Sequence, residues 1–127
     1  MIHLDANLLI ALIKKSDVHH PAAGRVIAGS GPFGCSSVAW MELHSKPVHP
    51  RDNAALKTLL SAGIFPLDEA SASFAGEIYH HTGSKRRTRL DAIIAATAIF
   101  AGAELATVNA KDFEPFVPHG LKLHPLA

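Results

Sequence analysis

Residues 1–15, MIHLDANLLIALIKK, hold two periodicities separated by a single carboxylate. Residues 1–4 read as a short strand that stops at Asp5. Residues 7–15 read as a helix, with Leu8, Leu9, Leu12 and Ile13 on one face and lysines at its C-terminal end, where the dipole favours cations. The rest of the chain repeats this move from strand to helix. Residues 20–28 form a second helix with Pro21 in its first turn. Residues 33–36 are a strand, and Ser36 or Ser37 can cap a helix running through Leu43 until Pro47 and Pro50 end it. Residues 51–62 are helical, with Gly63 as the stop. A strand at 64–67 is interrupted by Pro66. Asp68 or Ser71 starts a helix to about His81, and 83–89 is a basic loop. Residues 90–101 are strongly helical, closed by Gly102. A strand at 105–108, a short helix at 111–116 and a strand at 121–123 complete the chain. Strands alternating with helices predict an α/β layer fold on a mostly parallel sheet. Ligands of such sheets collect beyond the carboxyl ends of the strands, where Asp5, Asn109 and Asp112 fall.

Composition narrows the classes. The chain has 127 residues, enough for one domain (1–127) with a sizeable core but not for two. Hydrophobic residues are 48 % of the sequence, and the mean hydropathy is +0.18. Intrinsic disorder is thereby excluded. The longest apolar stretch, 92–103, is about 12 residues, well short of the roughly 20 that span a bilayer. No basic lead-in precedes Asp5, so no signal peptide is expected. The single Cys35 fits a reducing, cytoplasmic setting. Twelve Lys and Arg against eleven Asp and Glu give +1, which favours no class of partner. Charged residues are only 18 %, against about 25 % in a typical soluble domain, so the placement of the few carboxylates carries information.

Most of those acids sit in bland surroundings, but three do not. Asp5 lies between Leu4 and the run Leu8-Leu9-Ile10. Glu42 is the only acid between Asp17 and Asp52, set in Val38-Ala39-Trp40-Met41-Glu42-Leu43. Asp91 is the only charge from Leu90 to Ala103. Singly, each has an ordinary explanation as a helix cap, an exposed helix position or a first-turn acid. Together, and with Asp112 just after a strand, they are explained by one cluster that binds a divalent cation. Carboxylates about 4 Å apart repel by roughly 4 kcal/mol at an effective dielectric of 20. Oxygen donors without thiolates favour Mg²⁺ or Mn²⁺ over Zn²⁺. Such an ion can activate a water against a phosphorus and neutralise the leaving oxygen, which is phosphodiester hydrolysis.

These segments resemble the motifs of the PIN-domain family. Leu4-Asp5-Ala6-Asn7 resembles its opening hydrophobic-Asp-x-Asn motif, and Ser37 to Leu43 resembles its second motif, ending in Glu-Leu. Leu90-Asp91-Ala92-Ile93-Ile94-Ala95-Ala96 resembles its Asp-x-x-Ile-Ala-Ala motif. Thr107-Val108-Asn109-Ala110-Lys111-Asp112-Phe113 resembles its closing Thr-x-Asn-x-x-Asp-Phe. The four occur in the family's order across residues 5–113, and the length is that of VapC-type toxins. The resemblance implies a three-layer α/β/α fold with a parallel five-stranded sheet of order 3-2-1-4-5, and a Mg²⁺- or Mn²⁺-dependent endoribonuclease. It implies that Asp5, Glu42, Asp91 and Asp112 are the catalytic and metal-binding acids. Asn109 and Thr107 would support the site, and Asn7 would fix the turn after the first strand. It further implies a homodimer held inactive by a small antitoxin. The sequence departs from the family at Ala6, where Thr or Ser is common, so a hydroxyl near the metal is expected to be missing.

Lys85-Arg86-Arg87-Thr88-Arg89 precedes Asp91 and is expected to rim the site as an RNA-binding run. Gly29 to Gly34 matches G-x-G-x-x-G, but it precedes a strand and opens no helix, so it reads as turn chemistry. The nine histidines lack the ligand pattern of a zinc site, and most read as surface residues, with His44 and His81 able to approach a site. No G-x-S-x-G elbow supports a serine nucleophile. Trp40 and Met41 read as core or dimer contacts. The apolar composition predicts a buried subunit face on the first two helices or on the helix from Asp68 to His81. Two rivals remain: a PIN fold kept as a non-catalytic RNA- or protein-binding module, and a phosphoacceptor receiver. The receiver needs an acid adjacent to Asp5, and there is none.

Overall fold

A computed structural model describes residues 1–126. Its elements in chain order are β1 (Ile2–Leu4), α1 (Ala6–Ile13), α2 (His20–Ala28), β2 (Phe33–Ser36), α3 (Ser37–Leu43), α4 (Pro50–Leu59) and β3 (Gly63–Phe65). Then come α5 (Glu69–His81), a 3₁₀ turn (Arg86–Thr88), α6 (Arg89–Ala101), β4 (Glu104–Ala106), α7 (Ala110–Phe113), a 3₁₀ run (Glu114–His119) and β5 (Lys122–Leu123). The five strands form one sheet of order β3-β2-β1-β4-β5, and every neighbouring pair is parallel. Parallel strands need long crossovers, and these are almost always right-handed. The order therefore sends α1–α4 to one face of the sheet and α5–α7 to the other. This is the three-layer α/β/α architecture the resemblance implied.

The core lies on both faces of the central strands. All of β1 and β2 is buried, as expected of strands covered on both faces. Leu4, Leu8, Leu9, Ile78, Ile94, Leu105, Phe113 and Phe116 are fully enclosed. In α6, Ala92 and the run from Ile94 to Ala98 are all buried. Its small side chains let this helix lie close to the sheet and α5.

Several element ends differ from the sequence reading, each for a local reason. The first helix stops at Ile13 rather than Lys15, with Lys14 as its C-cap. The helix expected at 51–62 is α4, Pro50–Leu59: Pro50 begins it instead of ending the previous one. Ala62 is already drawn toward the sheet, its N–H donating to the Phe33 carbonyl at 2.9 Å. Gly63 does not stop that helix but opens β3 with φ +109°. The strand ends at Phe65 because Pro66 has no N–H to offer a ladder. Gly34 lies inside β2, which matches the strand read at 33–36. A side chain there would meet the Gly63 carbonyl oxygen at 3.0 Å. The helix expected at 111–116 is split into α7 and a 3₁₀ run, since Pro115 and Pro118 break its hydrogen bonding. Met41 is exposed rather than core. Among the described residues no helix is long and apolar enough to cross a membrane.

Candidate functional site

The chain reverses its direction of growth across the sheet between β1 and β4, and the crevice beyond their carboxyl ends is where such folds bind ligands. Asp5 sits there, only 4 % exposed. Its backbone N–H donates to the Ala106 carbonyl at 3.0 Å. Its Oδ1 accepts from the Ala6 N–H at 2.8 Å, capping α1. Its Oδ2 accepts from the Thr107 hydroxyl at 2.8 Å. Thr107 in turn accepts from the Asn109 N–H at 3.0 Å. One carboxylate thus ties the end of β1 to the end of β4, and both of its oxygens are oriented by the fold. Ala6 brings no hydroxyl to this carboxylate; the one that meets it comes from Thr107, just beyond β4. The turn after β1 is fixed by Asp5 itself, and Asn7 stands exposed beside it.

The other three acids arrive on separate helices. Glu42 is partly buried on α3, which Ser36 caps by accepting from the Ala39 N–H at 3.0 Å. Asp91 lies in the first turn of α6 and is partly buried. Asp112 follows β4 on α7, partly exposed. The charges of the four acids reach one another. Burial pushes the Asp91 carboxyl up to about 7, and the charges of Asp5, Asp112 and Glu42 add to the effect against a smaller opposing pull from Arg87. Burial also raises Asp5 above the ordinary carboxylate range; its hydrogen bonds to Thr107 and Ala6 work against this and Asp112 adds to it. Glu42 is raised by burial and then by Asp5.

Among the described residues no three His, Cys, Asp or Glu side chains close into a ready coordination shell. The four carboxylates are electrostatic neighbours, and their like charges raise Asp91. The donor chemistry nevertheless suits a hard divalent cation. All four donors are oxygens, one is rigidly oriented, and ionising Asp91 requires a compensating positive charge.

The basic run divides. Arg87 approaches the cluster, its Nη1 3.8 Å from Asp112 Oδ1. Lys85 lines the same cleft as Arg87 and Asp112. Arg86 is exposed. Arg89 turns the other way, its guanidinium 5.8 Å from the Tyr79 ring centroid. Sequence reading missed Lys111, which joins that cleft from α7; its place one residue before Asp112 was the available signal. It also missed His3, which is not a surface residue. His3 is 1 % exposed, with neither ring nitrogen hydrogen-bonded and its ring 4.8 Å from that of Phe65. Burial lowers it to about 4, so it is neutral at pH 7. A histidine between Ile2 and Leu4 in a buried strand was the sign. Cys35 is buried, its thiol pushed up to about 12, so it is no nucleophile.

A family model described as PIN domain matches residues 2–114. Among curated proteins none matches the chain. Solved structures with the same fold include a toxin–antitoxin complex from Klebsiella pneumoniae, 26 % identical, covering 90 % of this chain and 91 % of that one, with a TM-score of 0.70. The FitAcB structure from Neisseria gonorrhoeae is 20 % identical over 99 % and 98 % of the two chains, with a TM-score of 0.71. A sarcin–ricin-loop-cleaving VapC toxin of Mycobacterium tuberculosis is 19 % identical over 98 % and 100 %, with a TM-score of 0.70.

Proposed function

Because this chain belongs to the PIN-domain family, we propose that it is a divalent-metal-dependent endoribonuclease of VapC type, the toxin of a toxin–antitoxin pair. The observation that carries the reading is the gathering of Asp5, Glu42, Asp91 and Asp112 at the switch point, with Asp91 raised to about 7 by burial and by the other three. Asp5, Glu42 and Asp91 hold Mg²⁺ or Mn²⁺, and Asp112 completes the pocket. When bound, the cation supplies Lewis-acid activation of water and offsets charge developing on the scissile phosphate. The chain's own residues prepare that chemistry. Thr107 and the Ala6 N–H fix both oxygens of Asp5, so no reorganisation is needed when substrate arrives. Asp91, raised to about 7, is part protonated at neutrality and would have to be ionised to hold a cation. Asn109, anchored to Thr107 through its backbone, stands at the rim. The non-catalytic alternative draws on Ala6, but Asp5 is still held by the Thr107 hydroxyl.

The 26 % identical Klebsiella protein is part of a toxin–antitoxin complex, which supports a small antitoxin as partner here. A homodimer is part of the same proposal. Leu67, Leu90 and Phe100 are exposed around α5 and α6, and Phe100 stacks on Phe74 at 5.4 Å; such a ridge suits a subunit contact. The lone buried thiol suits a cytoplasmic enzyme.

Asp5→Asn and Asp91→Asn are expected to abolish Mg²⁺-dependent RNA cleavage while circular dichroism shows the fold intact. Cleavage retained by both variants would end the proposal.

A further inference from the structure

Beside the acid cluster lies a small open cleft, lined by Lys85, Arg87, Lys111 and Asp112 together with Pro115 and Phe116. Asp112 belongs to both: it faces this cleft, and its charge is felt at Asp91 and Asp5. The cleft therefore adjoins the cluster and carries the opposite balance, three cations against one carboxylate. Two threonines also line it, but their hydroxyls are committed. Thr82 donates to the Ile78 carbonyl at 2.8 Å and Thr88 to that of Lys85 at 2.9 Å. The free donors are the ammonium groups of Lys85 and Lys111, both exposed. Neither forms an ion pair among the described residues. Arg87 is shared, its guanidinium standing 3.8 Å from Asp112.

We propose that this cleft is a phosphate subsite, in which Lys85 and Lys111, with Arg87 shared between the ligand and Asp112, seat the phosphodiester next to the scissile one. The inference rests on the ribonuclease reading and adds to it the direction in which the strand lies. A cation among the acids answers only the phosphate placed on it. The neighbouring phosphate meets the fringe of a carboxylate field and needs positive charge of its own. The cleft supplies that charge next to Asp112. It also divides the basic run by role: Lys85 and Arg87 serve the subsite, Arg89 is turned to Tyr79, and the missing partner, Lys111, comes from a distant segment.

The test measures binding of a short single-stranded oligoribonucleotide to the Asp5→Asn chain, which leaves the RNA uncut, by fluorescence anisotropy across salt concentrations. Adding Lys85→Ala and Lys111→Ala is expected to weaken binding roughly tenfold at low salt and to flatten the log–log salt slope by about 0.7 per lost phosphate contact. Lys85→Arg with Lys111→Arg keeps both charges and is expected to retain the slope. Lys57→Ala with Lys122→Ala removes equal charge from outside the cleft and is expected to leave the slope near its parent value. A slope unchanged by the Lys85 and Lys111 alanines, or flattened equally by the Lys57 and Lys122 pair, overturns the subsite while cleavage by the parent chain keeps the nuclease reading. Absence of both RNA binding and parent cleavage overturns the two together.

Discussion

Asp5 and Asp91 show how differently one fold treats two carboxylates of the same site. Asp5 is the more buried and is raised as well, but two hydrogen bonds work against that shift; Asp91 meets burial and three like charges. Thr107→Val removes the hydroxyl that orients Asp5, the proposed metal ligand, and partners that orient metal ligands are worth about 10- to 100-fold in metal affinity or activity. Cleavage rates measured across Mg²⁺ concentrations are expected to fall by that factor, with partial recovery at high Mg²⁺. For Asp91, the folded value near 7 lies above the ordinary 3.8. The native state then keeps a proton that the unfolded chain has lost, so this stability is complete below about pH 4 and lost as pH rises through 7. Metal-free protein is expected to lose about 1–2 kcal/mol between pH 5 and pH 8 from this group, after discounting for solvent screening. Asp91→Asn flattens that slope in urea melts; an equal slope in both chains would contradict the account. The positions of Asp5, Asp91 and Glu42 were legible because a lone acid in an apolar run is conspicuous. Their hydrogen bonding was not, because Thr107 meets Asp5 across 102 positions of chain and no local pattern reports such a pair.

At the scale of elements, caps and crossovers deliver the site. Ser36 ends β2 and caps α3 in one residue, so the angle at which Glu42 leaves the sheet is set by a single buried hydroxyl. Ser36→Ala is expected to cost about 1 kcal/mol and to lower the melting temperature by a few degrees, with reduced cleavage because Glu42 is displaced. Unchanged melting and unchanged cleavage would show that packing of Ala39 and Leu43 suffices. Existence and order of the elements could be read from the sequence wherever periodicity was strong, as in α1, α2 and α6. Their ends could not where tertiary bonds decide them. Ala62 leaves its helix for the Phe33 carbonyl. The strand read at 105–108 ends at Ala106, and Thr107, just beyond it, bonds to Asp5 and to the Asn109 N–H.

For the molecule as a whole, a sheet of order β3-β2-β1-β4-β5 puts one reversal point beside β1 and gathers acids from four distant segments around it. The net charge of +1 conceals this local separation of sign, acids at the switch point and cations in the adjoining cleft. The exposed ridge of Phe100, Leu67 and Leu90 leads us to expect a dimer at micromolar concentration by light scattering; a monomer mass there would refute that part of the proposal. The measurement closest to the central claim is calorimetric titration of Mg²⁺ and Mn²⁺ into the wild-type chain at pH 7, in buffers of different ionisation enthalpy. The account predicts saturable binding with proton release, and release lost in Asp91→Asn. Absence of saturable binding, or binding and proton release unchanged in Asp5→Asn and Asp91→Asn, would contradict it.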